Sequence, residues 1–378
     1  MSLNEINTSK TCLINTVKVL LYKENLNLIE KIKFDDDEIF LDPILFSYFN
    51  SKKNNKFPKK ILNEILQGYF FIKAPPNVTY SLNKNQVAYI PKIGYFKKNQ
   101  KTPYDSILVK GDFEIVKEIH PTQEKYFTEF YKGHTLNQYP EHNSVWKSHY
   151  KEVFNAIDII KKHIPQFYNE LAFANKKIYL HDNPKILNFT SIETLGMLHF
   201  YVIGESNLIY FIEELIHQGS HNFFYYLIHD RKDYFKIDVE NLLMRDFTKQ
   251  KWDYRSIYSA FHGLYTVTQR VVYFDKLLVK NVFSGREKHE LLGRLTDQFS
   301  RFRTGLELLN LEKTYTPKGM KLYNRLDKKC ASILKKYAML TDEFDLSNRD
   351  VDFRYDVFYK QNLYEDFQTK DLNNYYKF

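Results

Sequence analysis

The segment from Asn207 to His229 constrains the fold most, because it is long and largely apolar yet carries two histidines four residues apart. At 3.6 residues per turn, His217 and His221 project from one face of a helix, where both imidazoles can bind one metal ion. The apolar neighbours predict that this helix is buried. Two buried imidazoles need hydrogen-bond partners or a metal, so the segment predicts a helical metal site.

The residue after His217 sets this segment apart from the HEXXH helix of metalloproteases. In those enzymes a glutamate stands at this position and acts as the base for the metal-bound water. Here the residue is Gln218, whose amide cannot accept a proton at neutral pH. Glu213 and Glu214 precede His217 by four and three residues, close enough to orient its ring. The spacing therefore favours metal binding without a hydrolytic base.

Two residues are candidates for the third metal ligand. Glu240, 19 residues after His221, would complete a His/His/Glu zinc site, and without its base such a protein is an inactive pseudo-metallopeptidase. His262 lies in an otherwise apolar helical stretch and would complete a site of three imidazoles. An octahedral ion such as iron(II) would then keep positions for a bidentate 2-oxo acid and dioxygen. Oxygen activation needs no base for water, so Gln218 is compatible with this second arrangement.

A 2-oxoglutarate site also needs a cation for the distal carboxylate, and arginine suits it best. Arg255 lies seven residues before His262 and would share its face if that stretch were helical. Arg270, eight residues after His262, is the alternative. His199, His229 and Asp230 are interpreted as structural.

Composition narrows the remaining functions. The chain has 378 residues, 43% apolar and 27% charged, as in an ordinary globular protein. No uncharged apolar run reaches the roughly 18 residues of a membrane span. The net charge is +9, but the basic residues are spread along the chain and mixed with 46 acidic ones, and no nucleic-acid-binding motif accompanies them. Neither a membrane nor a nucleic acid is therefore an expected partner. No signal peptide or disulfide pattern is seen, which predicts a cytoplasmic protein; the oligomeric state is not indicated.

The expected fold is mainly α (α+β), with a helical metal-binding domain and a smaller N-terminal region containing short strands. Residues 1–120 are predicted to form that α/β region, a candidate for peptide recognition. Residues 121–340 would form the helical catalytic domain, and 341–378 a C-terminal tail. Strands are predicted at Val87–Ile90 and within Ser106–Ile119, where apolar residues alternate around a glycine.

Three segments together resemble the HEXXH-motif putative peptide-modification family, found in gene clusters for ribosomally made peptides. Family members carry E-x-x-H-E-x-x-H, then R-P-x-x-G-x-x-H-G, then a stretch similar to L-T-P-x-G. This chain has ELIHQGSH at Glu214–His221, RSIYSAFHG at Arg255–Gly263 and YTPKG at Tyr315–Gly319. The resemblance covers roughly residues 190–330 and departs from the pattern at Gln218, Ser256 and Ser259.

The resemblance implies an oxygenase that uses iron(II), 2-oxoglutarate and O2 to hydroxylate a side-chain carbon of a precursor peptide, often at the β-carbon. Arg255 matches the arginine of the motif, with Arg270 as the alternative cation. Gln218 is the candidate catalytic side chain, for a hydrogen bond to the substrate or to an oxygen ligand of the iron. The zinc pseudo-metallopeptidase and a non-catalytic peptide-binding partner stay open. The implied metal ligands are His217, His221 and His262.

Overall fold

The computed structural model describes residues 3–51, 57–71, 78–128, 144–204, 206–303, 305–306, 309–349 and 352–368. Helix accounts for 59% and strand for 10%, which confirms the prediction of a mainly α fold with some strands. The chain divides into two compact units. The first comprises Met1–Phe154, Ala172–Ser206 and Tyr225–Leu227, and the second Asn155–Leu171, Asn207–Phe224 and Ile228–Phe378.

The first unit begins with one long helix and three shorter ones, and a further short helix follows its first strands. They are α1 (Leu3–Glu24), α2 (Leu26–Ile29), α3 (Pro43–Ser51), α4 (Lys59–Leu66) and α5 (Lys125–Thr128). Two further helices have residues in both units, α6 (Val145–His163) and α7 (Pro165–Ala174).

Two sheets lie among the described residues of the first unit. β1 (Val87–Ile90) and β2 (Gly94–Lys97) form an antiparallel pair. The larger sheet has the order β3-β4-β5-β6, with β3 (Leu108–Lys110), β4 (Phe113–Val116), β5 (Lys177–His181) and β6 (Met197–Tyr201). β3 and β4 are antiparallel, and β4, β5 and β6 are parallel. Gly111 turns the chain between β3 and β4 with a φ of 59°, a conformation that glycine adopts without strain.

The larger sheet contains a buried ion pair with hydrogen-bond partners and two buried histidines without them. The ammonium of Lys177 donates to Glu114 at 2.8 Å and to the Tyr89 hydroxyl at 2.9 Å. His181 and His199 are both fully buried on β5 and β6. In the described part of the chain, neither ring nitrogen of either histidine has a hydrogen-bond partner.

The second unit is built on four long helices. They are α8 (Leu208–Leu227, its last three residues belonging to the first unit), α9 (Ile257–Val279), α10 (Gly285–Arg303) and α11 (Pro317–Lys336). Side-chain caps fix where three of them begin, because each accepts a hydrogen bond from an unpaired backbone N–H of the first turn. The caps are Asn207 for α8, Ser256 for α9 and Thr316 for α11.

The C-terminal segment adds α12 (Leu340–Glu343), α13 (Tyr355–Gln361) and α14 (Tyr364–Gln368). Its aromatic side chains surround the buried ring of His289 on α10, with ring centroids 5.0 to 5.9 Å away. Much of this segment is therefore packed structure. Among the described residues, no helix combines the length and apolar character that crossing a membrane requires.

Candidate metal centre

The predicted metal ligands meet because α8 and α9 lie side by side in opposite directions. Glu213 of α8 contacts Arg270 of α9, and His221 of α8 contacts His262 of α9. Glu213 precedes His221 by eight residues, and Arg270 follows His262 by eight. Eight residues towards the start of α8 therefore correspond to eight residues towards the end of α9, as expected for two antiparallel helices.

The three histidines lie within hydrogen-bonding distance of one another. The Nε2 atoms of His217 and His221 are 3.2 Å apart, and Nδ1 of His221 is 2.7 Å from Nε2 of His262. His221 therefore lies between the other two and uses a different nitrogen for each. The structure brings together the three residues that the sequence predicts as ligands.

Three imidazoles are suitable ligands for one metal ion. In the present arrangement, however, only two of them can bind the same ion at once. Two nitrogens 3.2 Å apart, as in His217 and His221, can both bind one ion at about 2.1 Å. His262 faces the opposite nitrogen of His221, so all three converge only after one of these rings rotates. Accordingly, no group of three or more His, Cys, Asp or Glu side chains in the described ranges already has the geometry of a metal site.

Aromatic rings pack against one side of the triad, and the His217 side is partly exposed. The ring of His262 stacks on Phe224, with centroids 4.6 Å apart and planes at 16°. Tyr258 also lies against His262, at 5.7 Å. His262 is buried, whereas the His217 side chain is 20% exposed. A ligand can therefore reach the triad from the His217 side.

Burial lowers the pKa of all three histidines well below the ordinary value. Arg270 and Arg301 lower that of His217 further, and His217 and Arg270 lower that of His221. For His262, burial acts together with the neighbouring His221. The rings are thus neutral at pH 7, and neutral imidazole is the form that binds metals.

Gln218 is buried and takes part in the hydrogen bonds around His217. Its amide nitrogen donates to Glu214 Oε2 at 3.2 Å and lies 3.4 Å from Nδ1 of His217. Glu214 Oε2 is itself 3.7 Å from that Nδ1. Burial raises the pKa of Glu214, against the lowering effects of Arg270 and the Gln218 hydrogen bond. Gln218, the predicted catalytic side chain, thus has its amide nitrogen committed to Glu214 and His217.

Arg255 does not share a helical face with His262, so the premise of the sequence prediction is wrong. The helix begins at Ile257, because Ser256 is its N-cap and accepts from the backbone N–H of Ser259. Arg255 precedes this cap and is 35% exposed. Its guanidinium makes two hydrogen bonds to the buried Asp253, at 2.8 and 2.7 Å.

Arg270, the alternative cation, is buried beside the triad. It lies on α9 at the level of Glu213, one helical turn or about 6 Å from the level of His217. Its bond to Glu213 is long, at 3.3 Å, and its Nε has no acceptor among the described residues. Burial and the nearby Arg301 lower its pKa, although Glu213 opposes them. A buried guanidinium with an unused N–H is a candidate anion site.

The surrounding ion pairs were not found from the sequence. Arg294 donates to Glu213 and, at 2.9 and 2.7 Å, to Glu290; Arg301 donates to Asp297. Glu290 and Arg294 are four residues apart on α10, as are Asp297 and Arg301. Acid–base pairs at this spacing in a helix that also carries apolar residues were the available signal.

Glu240 already has an ion-pair partner. Its side chain is 50% exposed and ion-paired with Arg231. Of the two candidate third ligands, it is His262 that contacts His221. The observed contacts therefore favour the three-histidine arrangement over His/His/Glu.

The YTPKG stretch is used to anchor α11. Thr316 caps this helix through the backbone N–H of Gly319, and its own N–H donates to the carbonyl of Tyr234. A Cβ on Gly319 would lie 1.9 Å from that same carbonyl oxygen, so only glycine fits. Tyr315 packs on Phe261, the residue before His262.

No protein-family model matches the chain, and no curated protein matches it with significant similarity. The family resemblance therefore stays a prediction from three short motifs.

Proposed function

We propose that this chain is a cytoplasmic oxygenase that uses iron(II), 2-oxoglutarate and O2 to hydroxylate a side-chain carbon of a ribosomally synthesised precursor peptide. The observation that carries the proposal is the contact of His262 with His221, 2.7 Å between ring nitrogens. This contact supports His262 as the third imidazole ligand. Glu240 is half exposed and ion-paired with Arg231, so the proposal does not use it as a ligand. A three-histidine centre needs no hydrolytic base, which agrees with Gln218.

Residues in and around the centre have distinct roles. Iron(II), when bound, would supply dioxygen activation coupled to decarboxylation of 2-oxoglutarate to succinate and CO2. Arg270 would bind the far carboxylate, because its buried Nε–H has no acceptor among the described residues and it contacts Glu213, one helical turn before His217. Phe224 and Tyr258 exclude water from their side of the triad. The peptide would approach from the side on which His217 is exposed. The metal ligands would be His217, His221 and His262.

The choice of Arg270 over Arg255 rests on their partners. Arg255 already has two short hydrogen bonds to one carboxylate, which satisfies the planar fork of its guanidinium. Arg270 has one long bond and a buried N–H in need of an acceptor, a deficit of about 1–3 kcal/mol that an anion would remove.

The test does not require the peptide to be known. Anaerobically purified protein is loaded with iron(II), given 2-oxoglutarate and air, and assayed for succinate. We expect slow succinate formation that His262→Ala abolishes, and faster formation with peptides encoded beside the gene, which gain one oxygen atom. Tightly bound zinc without any succinate would instead support the pseudo-metallopeptidase. Protein that binds no metal would support the non-catalytic partner.

A further inference from the structure

Glu214, His217 and Gln218 form one hydrogen-bonded cluster on α8. The amide nitrogen of Gln218 is 3.2 Å from Glu214 Oε2 and 3.4 Å from Nδ1 of His217. Glu214 and Gln218 are both buried. The cluster therefore acts on the side of the His217 ring opposite to Nε2.

The carboxylate of Glu214 fixes which way the Gln218 amide points. The amide nitrogen of Gln218 donates to Glu214 Oε2, so the amide NH2 and not the amide oxygen faces Glu214. The same NH2 group faces Nδ1 of His217, which must then accept. A neutral imidazole carries one proton, so that of His217 is on Nε2.

This assignment orders the whole triad. Nε2–H of His217 donates to Nε2 of His221, 3.2 Å away, so His221 carries its proton on Nδ1. That N–H donates to Nε2 of His262 at 2.7 Å, which leaves the proton of His262 on Nδ1. The metal-free triad is a chain of hydrogen bonds that runs in one direction from Gln218.

A metal on Nε2 of His217 requires the opposite tautomer. The lone pair must then be on Nε2 and the proton on Nδ1, which becomes a donor. Gln218 offers Nδ1 only another N–H, whereas Glu214 Oε2, 3.7 Å away, is an acceptor within reach of a small shift. The two neighbours of His217 thus favour different tautomers.

We propose that Glu214 and Gln218 are positioning residues that act on His217 in opposite senses. Gln218 stabilises the metal-free tautomer, and Glu214 stabilises the tautomer that binds metal. The inference rests on the metal centre of the proposed function but not on its oxygenase reaction. Replacing the HEXXH glutamate by glutamine then weakens metal binding as well as removing a base.

The first test reads the tautomers in metal-free protein. In protein labelled with 15N at histidine, nitrogen–carbon-proton correlation spectra report which ring nitrogen carries the proton. In the wild type we expect Nε2–H for His217, and Nδ1–H for His221 and His262. Gln218→Met should move the His217 proton to Nδ1. A wild-type His217 proton on Nδ1 would overturn the proposal without any variant being needed.

The second test measures affinity for cobalt(II) alone by its absorption. Glu214→Gln should weaken binding about 10- to 100-fold, as loss of an orienting partner does at other metal sites. Gln218→Glu should strengthen binding, and Gln218→Met should leave it equal or stronger. The matched control is Gln298→Met, a buried glutamine of α10 that donates to the Arg294 carbonyl, with wild-type affinity expected.

The outcomes separate this proposal from the proposed function. Loss of affinity in Gln218→Met equal to that in Glu214→Gln would overturn it, because both residues would then favour the same tautomer. The stated tautomers and affinities without succinate formation would overturn the oxygenase alone.

Discussion

Acid should destabilise this protein through two buried histidines of the parallel strands. His181 and His199 are fully buried, and their four ring nitrogens lack partners in the described part of the chain. Burial lowers the pKa of His181 to about 3; burial, with a smaller effect of His181, lowers that of His199 to about 3. In the unfolded chain each would titrate near 6.5.

The sign follows from which state binds protons. Because the folded-state pKa is lowered, the stability is present above pH 6.5 and is lost as pH falls towards 3. From pH 7 to pH 5 only the unfolded chain gains protons, which costs about 1.9 kcal/mol per histidine and about 3.8 kcal/mol for the pair. A folded pKa one unit higher changes these values little, since both rings would still be neutral at pH 5.

The assay is urea unfolding of the full chain at pH 7 and pH 5. His199→Phe removes one titrating ring and keeps an aromatic ring that can stack on Phe189, now 4.1 Å from His199. We expect the loss of unfolding free energy between the two pH values to shrink by about 1.9 kcal/mol. Phe189→Leu is the control, which lowers stability equally at both pH values. An unchanged loss in His199→Phe would refute the reasoning.

Three further outcomes follow from the second unit. Arg270→Met should weaken 2-oxoglutarate binding to cobalt-loaded protein about 10- to 100-fold, because a charged hydrogen bond contributes about 1.5–3 kcal/mol. Arg255→Met should change this affinity by no more than about twofold. Calorimetry that shows the reverse order would reject Arg270. Arg294→Met should cost about 3–5 kcal/mol in urea unfolding, since the buried Glu290 loses the guanidinium that balances its charge, and adding Glu290→Met should recover part of the loss. Gly319→Ala should cost about 3 kcal/mol because its Cβ meets the Tyr234 carbonyl, whereas Gly204→Ala, with nothing within 4 Å, should be neutral.

The helices and the histidines were readable from the sequence because each leaves a local signal. The spacing of His217 and His221 places them on one face of any helix, and the long apolar segments predict α8 and α9. The strands at Val87–Ile90 and on both sides of Gly111 were confirmed as β1, β3 and β4. Periodicity and turn chemistry are properties of neighbouring residues, so they survive in the sequence.

Features that depend on helix ends were harder to predict. The sequence prediction considered a helical stretch that includes both Arg255 and His262, yet the Ser256 cap starts the helix at Ile257. Arg255 therefore lies outside the helix, and the proposed cation is Arg270. The signal for this helix start was Ser256, because a serine before a helix can accept a hydrogen bond from the backbone N–H three residues later.

Contacts between distant segments left little trace in the sequence. The aromatic cluster around His289 of α10 draws on α13, α14 and Phe344, which follows α12, and these helices are too short to show a period. Glu213 and Arg294 are 81 residues apart, and only the packing of α8 and α10 brings them together. The second unit is likewise made of three separate stretches of the chain, and only contacts between these distant stretches define it.

The identity of the third ligand is tested most directly by metal binding in two single variants. Wild type, His262→Ala and Glu240→Ala are purified anaerobically and titrated with cobalt(II), whose absorption reports the ligand set. We expect one ion per chain in the wild type, the same affinity in Glu240→Ala, and loss of that site in His262→Ala. Wild-type binding by His262→Ala together with loss in Glu240→Ala would contradict this expectation.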